Sequence, residues 1–124
     1  MDIDSKTLGR LGEDIAAEYV LGLGWSIVEE NYRCRMGEID IIACKGELLI
    51  FIEVKCRRSL AFGIPSESVT EKKQRHIRRT ASFYLTEKMR IRKQFSDYRF
   101  RFDVIEVNFV HDSHRLSHIE DAFR

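Results

Sequence analysis

The sequence predicts an α/β fold: a mixed central β-sheet, built as an antiparallel meander plus a parallel strand, flanked by helices. Three observations predict it. An apolar pattern of helical period opens the chain, three strand-like runs follow close together, and a second long helical segment precedes one or two further strands. Strands close in sequence pair antiparallel. A long intervening helix carries the chain back across the sheet, so the next strand joins in parallel by a right-handed crossover.

Each element has its own justification. Over residues 7–23, Leu8, Leu11, Ile15, Tyr19 and Leu23 recur at helical spacing, and Gly22 and Gly24 stop the helix. Trp25 to Asn31 reads as a short strand and "YRCRMG" as a polar connector. Residues 37–56, "GEIDIIACKGELLIFIEVKC", form two apolar strands around a tight turn. "SLAFGIPSES" holds the single proline and reads as a loop, over the substrate or a plain connector; its Phe62 either wedges into DNA or packs inward. Thr70 suits the N-cap of a helix from Glu71 to about Lys88, with Ile77, Ala81, Tyr84 and Leu85 inward. "YRFRFDVIEVNF" alternates and is strongly β-prone, and "RLSHIEDAF" supplies a short edge strand after an "HDSH" turn.

The bulk numbers bound the function classes. A chain of 124 residues, 44% hydrophobic and 33% charged, has the make-up of one soluble globular domain spanning 1–124. No run approaches a membrane span, and Asp2 and Asp4 replace the basic start of a signal peptide, so a cytoplasmic location without membrane contact is expected. Cys34, Cys44 and Cys56 form no C-x-x-C pair and read as structural thiols. The total charge of +1 hides a strong asymmetry: residues 1–54 carry net −6, residues 55–101 net +10 and residues 102–124 net −3. A basic central segment either attracts a polyanion or is a solvated helix face.

Three charges interrupt the apolar hairpin: Asp40, Glu53 and Lys55. If Lys45 and Gly46 form the turn, Asp40 faces Phe51; if Gly46 and Glu47 form it, Asp40 faces Glu53. Either register places Asp40, Glu53 and Lys55 on one face, with Val54 on the other. Buried carboxylates that close repel unless a cation intervenes. One resolution is a hard divalent cation, Mg²⁺ or Mn²⁺, which takes oxygen ligands; Lys55 then orients the hydrolytic water or steadies charge on a phosphate. The other is an internal salt bridge of Lys55 with Glu53 or Asp40 near a sheet edge. The apolar flanks "IDII" and "LLIFI" favour the cation, because they set the charges in core-forming strands. Glu38 shares the face by parity but borders the connector, and reads as an exposed residue at the strand start.

These residues resemble the PD-(D/E)XK nuclease core, the restriction endonuclease-like arrangement shared with archaeal Holliday junction resolvases. Ile39 stands where the formal motif has proline. More specifically, "GRLGEDIAAEYV", "NYRCRMGEIDIIA", "FIEVKCRRS", "FGIPSESVTEKK", "RFDVIEV" and "HIEDAF", in order over nearly the whole chain, resemble the YraN family of endonuclease-like bacterial proteins. The resemblance implies a fold with Asp40 and Glu53 as metal carboxylates, the Val54 backbone carbonyl as a further ligand and Lys55 as the catalytic lysine. It also implies that Glu13 approaches the metal directly or through water. A helical wheel places Gly9, Gly12 and Ala16 as a low-bulk flank beside Glu13, suited to close approach of helix to sheet.

The expected function is a metal-dependent endonuclease acting on DNA, including branched or structured DNA; the alternatives are an RNA nuclease and a non-catalytic nucleic-acid-binding or scaffold protein. Arg57 and Arg58 either grip flanking phosphates or are ordinary strand-end charges. Lys72, Lys73 and Arg75, with Arg78 and Arg79, offer a basic shoulder for a nucleic-acid backbone, and Gln74 resembles a helix glutamine that assists such sites. His111, His114 and His118 lack the spacing of a zinc set and read as a surface grouping. A sheet edge is the expected place for a homodimer contact.

Overall fold

The computed structural model describes residues 4–58, 69–91 and 98–124. The predicted loop "SLAFGIPSES", with Phe62, lies outside the described residues. The described chain runs α1 (Ser5–Gly22), β1 (Ser26–Cys34), β2 (Gly37–Lys45), β3 (Leu48–Arg58), α2 (Glu71–Ile91), β4 (Arg99–Val110) and β5 (Ser113–Phe123). The strands form one five-stranded sheet in sequence order. Only β3 and β4 pair in parallel; every other neighbouring pair is antiparallel. This is the mixed sheet flanked by helices that the sequence predicts.

Local chemistry explains the boundaries. Asp4 caps α1 by accepting from the Thr7 N–H at 2.8 Å, and the Thr70 hydroxyl caps α2 by accepting from the Lys73 N–H at 3.1 Å. Gly46 adopts φ +60 in the β2–β3 turn, a left-handed conformation that costs glycine little. Pairing of Lys45 with Leu48 makes Gly46 and Glu47 the turn, which selects the second of the two predicted registers.

Two helices cover opposite faces of the sheet. On the α1 face, Ala16, Val20 and Trp25 pack with Ile41, Ala43, Ile50, Ile52, Val54, Ile105 and Val107. On the α2 face, Ile77, Ala81 and Tyr84 pack with Ile42, Leu49, Phe51, Phe102 and Val104. Burial of apolar area on both faces accounts for the long apolar runs in β2 and β3, which lack the polar alternation of a one-sided sheet.

Two sequence expectations are corrected. "YRCRMG" is not a connector: β1 runs on to Cys34 and only Arg35 and Met36 make the turn. Tyr32 packs edge-on against Tyr84 of α2 at 5.0 Å, and Tyr32 to Cys34 pair with Ile39 to Gly37, so a segment rich in polar residues is held as strand. The last strand is not short; its 11 residues pair along β4 from Val110↔Ser113 to Phe102↔Phe123.

Candidate functional site

The site forms where β2 departs from regular pairing. The β2–β3 register runs from Lys45↔Leu48 to Ile41↔Ile52 and ends there, one step short of Asp40 and Glu53. There the Asp40 carboxylate accepts from the Val54 N–H at 2.8 Å, taking the place of a strand carbonyl. Ile39 packs on the α2 face and Ile41 on the α1 face, so the side-chain alternation slips at Asp40. Opposite Asp40 on the β1 side, Asn31 adopts φ +53, a left-handed conformation that asparagine tolerates. Strict parity therefore does not hold for Asp40. Its carboxylate lies in the gap between β2 and β3, while Glu53 and Lys55 alternate with Val54 and fall on the α2 face, beside Phe51.

This position lets groups from both faces converge. Glu13 approaches from α1, which lies close against β3: a Cβ at Gly12 would collide with the Cys56 sulfur. The predicted close approach thus belongs to Gly12. A Cβ at Gly9 would meet open space, and Gly9 contributes its carbonyl, which accepts from the Cys56 thiol at 3.7 Å. Glu53 approaches from β3 and is joined by Lys73 of α2 at 3.7 Å.

The electrostatics link three acids in series through Asp40. Burial, followed by the charge of Asp40 and a hydrogen bond to it, raises Glu13 to about 7. Burial and Asp40 likewise raise Glu53 to about 8, against the opposing pull of Lys73. Asp40 is also raised by burial, but the Val54 N–H and a hydrogen bond from Glu53 work in the other direction. Asp40 is thus the acceptor at the centre; at neutral pH Glu53 is mostly protonated and Glu13 is near its midpoint. Cys56 is raised to about 11, first by burial and then by Glu13 and Asp40, and stays a thiol.

These carboxylates form a chain of contacts, Glu13 to Asp40 and Asp40 to Glu53. Among the described residues, no group of three or more His, Cys, Asp or Glu side chains is arranged to hold a metal ion. Their donor chemistry nevertheless suits a hard cation. Mg²⁺ typically uses one or two carboxylates and completes its octahedron with water and substrate oxygens.

The other predicted residues divide. Glu38 is about half exposed and pairs with Arg33 at 3.0 Å at the start of β2, and its charge adds to the upward shifts of Glu13, Asp40 and Glu53. Lys55 is half-buried, and Arg58 is exposed. Arg57 is partly buried and lies 3.9 Å from Glu106, so it is more than a solvated strand-end charge. Lys72, Lys73 and Arg75 are exposed on the first turns of α2. The Gln74 amide donates to the Val69 carbonyl at 2.8 Å, which fixes the start of α2.

Sequence reasoning missed a second polar cluster. His118 is not a surface residue: its side chain is 7% exposed, its Nε2 lies 2.8 Å from Asp103, and its Nδ1 lies 3.0 Å from the Tyr19 hydroxyl. Asp103 is fully buried and also accepts from Arg101 at 2.8 Å and from the Asp121 N–H at 3.0 Å. The signal available in the sequence was Asp103 within the apolar run "FDVIEV", two residues from Arg101.

Comparison with known proteins identifies the family. The sequence profile described as "Uncharacterised protein family UPF0102" matches residues 12–107. The chain belongs to that family. It is 45% identical over 119 residues to a UPF0102 protein of Alkaliphilus oremlandii, covering 96% of this chain and 99% of that one. A Clostridium perfringens UPF0102 protein is 48% identical over 122 residues, covering 97% of this chain and 96% of the relative. One from Caldicellulosiruptor saccharolyticus is 40% identical over 123 residues, covering 98% and 100%. The family match spans Glu13, the β2–β3 hairpin and α2. It agrees at family level with the motif resemblance to YraN proteins.

Proposed function

We propose that the chain is a metal-dependent endonuclease of the restriction endonuclease-like, PD-(D/E)XK type, acting in the cytoplasm on phosphodiester bonds of nucleic acid. DNA, including branched or structured DNA, is the proposed substrate class. The observation that carries this reading is the contact chain Glu13–Asp40–Glu53, in which burial and repulsion leave two of the acids holding protons. A structural ion cluster balances its charges, whereas here Glu13 and Glu53 stay raised despite the nearby Lys73.

Asp40 and Glu53 would hold Mg²⁺ or Mn²⁺, with the Val54 carbonyl as a backbone ligand and Glu13 binding directly or through water. The bound ion would supply charge stabilisation at the phosphate and favour the ionised nucleophile. The chain's own residues do the rest. The Val54 N–H fixes the Asp40 carboxylate at 2.8 Å. Lys55, on the Glu53 face, orients the water or stabilises charge developing on phosphate oxygens. Arg57 and Arg58 continue β3 beyond it and contact flanking phosphates, while Lys72, Lys73 and Arg75 track the backbone.

The test is cleavage of labelled single-stranded, duplex, flapped and four-way DNA, and of RNA, in Mn²⁺, Mg²⁺ or EDTA. Wild type is compared with Asp40→Asn and Lys55→Ala, with folding checked by circular dichroism. Metal-dependent cutting lost in both variants is the expected result. Equal cutting by all three proteins, or binding that survives EDTA with no cleavage of any substrate, rejects the enzyme; the latter leaves a nucleic-acid-binding scaffold.

A further inference from the structure

Glu106 is a charged residue in the sheet interior that none of the roles above uses. Its side chain is 7% exposed, and its Oε2 is buried without a hydrogen-bond partner among the described residues. Such a group costs stability unless nearby charge compensates it or function retains it. Its placement suggests which. β3 and β4 pair in parallel with Lys55 directly beside Glu106 and Arg57 beside Asn108. Phe102 and Val104 face α2 while Ile105 and Val107 face α1, so alternation sets Glu106 on the α2 face, the face of Glu53 and Lys55. The second oxygen, Oε1, lies 3.9 Å from the Arg57 guanidinium. One buried carboxylate therefore neighbours two successive outward cations of β3.

We propose that Glu106 is a positioning residue, holding Lys55 and Arg57 in the orientation in which they meet the scissile and adjacent phosphates. The assignment rests on the nuclease reading of Lys55. A lysine stem has four rotatable bonds, and a fixed carboxylate beside it narrows where the ammonium group points. A buried anion also offsets the repulsion between two cations on neighbouring same-face positions. Neither effect requires Glu106 to touch substrate.

The test has an arm independent of cleavage. Urea unfolding without metal is measured for wild type, Glu106→Gln, Lys55→Met and the double variant. If Glu106 and its strand neighbour Lys55 act as a pair, removing one partner strands the other, whereas removing both is far milder. Each single change should lower the urea midpoint, and the double variant should lie well above the sum of the two losses. If Glu106→Gln alone does not fold, recovery of folding in the double variant equally supports the pairing. Additive losses, or a double variant that also fails to fold, overturn the pairing.

The second arm measures cutting in Mn²⁺ and duplex binding in EDTA. Glu106→Gln should lower kcat by about tenfold or more, while binding stays equal or tightens because an anion behind the phosphate-facing cations has gone. Glu106→Asp, which keeps the charge on a shorter arm, should recover part of the rate. Wild-type rates in Glu106→Gln, or binding that weakens in step with kcat, overturn the positioning role. If wild type itself cuts no substrate, the nuclease reading fails, while the unfolding arm still decides whether Glu106 holds Lys55.

Discussion

Replacing Glu53 with glutamine should stabilise the metal-free protein at pH 8 and leave it nearly unchanged at pH 5. The Glu53 carboxyl is pushed from 4.5 up to about 8, by burial first and Asp40 second. Between those values the folded chain holds a proton that the unfolded chain has released. The stability this confers is complete below the unfolded value and is lost as pH rises through the folded one. At about 1.4 kcal/mol per pH unit, the interval corresponds to about 5 kcal/mol, and sharing of the proton with Asp40 reduces the share of Glu53 alone to roughly 2 kcal/mol. Glutamine keeps the shape and never ionises. Losing the Lys73 contact takes back less than about 1 kcal/mol, because Lys73 is nearly half exposed. Urea or thermal unfolding in EDTA at pH 5, 6, 7 and 8 measures the effect, and roughly 2 kcal/mol should appear as a rise of several degrees in Tm at pH 8. Adding Mn²⁺ at pH 8 should reverse the order. Wild type gains about 2.7 kcal/mol at a hundred times Kd, and the glutamine variant gains much less. Parallel stability curves for the two proteins from pH 5 to pH 8 would refute the account of a carboxylate destabilised by its neighbours.

Three further outcomes follow from the same geometry. Gly12→Ala should destabilise by about 1–3 kcal/mol, because the new methyl meets the Cys56 sulfur, and adding Cys56→Ala should restore part of the loss in urea unfolding. His118→Ala removes a partner of fully buried Asp103 and should cost about 1–3 kcal/mol, measured by the same method. Lys72→Ala and Arg75→Ala, both at exposed positions on α2, should each weaken duplex binding and reduce the slope of log affinity against log salt by about 1, read by fluorescence anisotropy in EDTA.

Periodicity located both helices and the long strands because their stripes are wide and their caps are chemically distinct. It failed where one residue decided the structure. Tyr32 anchors a polar segment as strand by packing against Tyr84 of α2, a contact that adjacent residues do not announce. Parity correctly set Glu53 and Lys55 opposite Val54, but it assumed regular alternation through Asp40. The Asp40 side chain instead captures the Val54 N–H, a competition between side chain and backbone that spacing cannot reveal. The histidines misled for a related reason. His118 looks like part of a loose surface trio until β5 is paired along its length and α1 lies over it, bringing Tyr19 and Trp25 against its ring at 5.5 and 5.6 Å.

The two buried acidic clusters give an internal control on how to interpret charge in this sheet. Asp103 is fully enclosed, yet both of its oxygens are met by Arg101, His118 and the Asp121 N–H at 2.8 to 3.0 Å. That is the compensation a folded chain requires when a carboxylate serves the architecture alone. Asp40 is also buried, but its neighbours are two more acids, and both hold their protons past the ordinary carboxylate range. The same chain that satisfies Asp103 so completely leaves this second group dependent on protons. A divalent cation would release those protons and supply the missing charge, so its binding should tighten as pH rises through about 7 to 8, the values at which Glu13 and Glu53 ionise. Isothermal titration with Mn²⁺ at pH 6 and pH 8, in buffers of different ionisation enthalpy, counts the protons released per ion bound. Release near one proton or more at pH 6, falling by pH 8, is the expected outcome; no release at either pH would mean that these acids do not hold the ion.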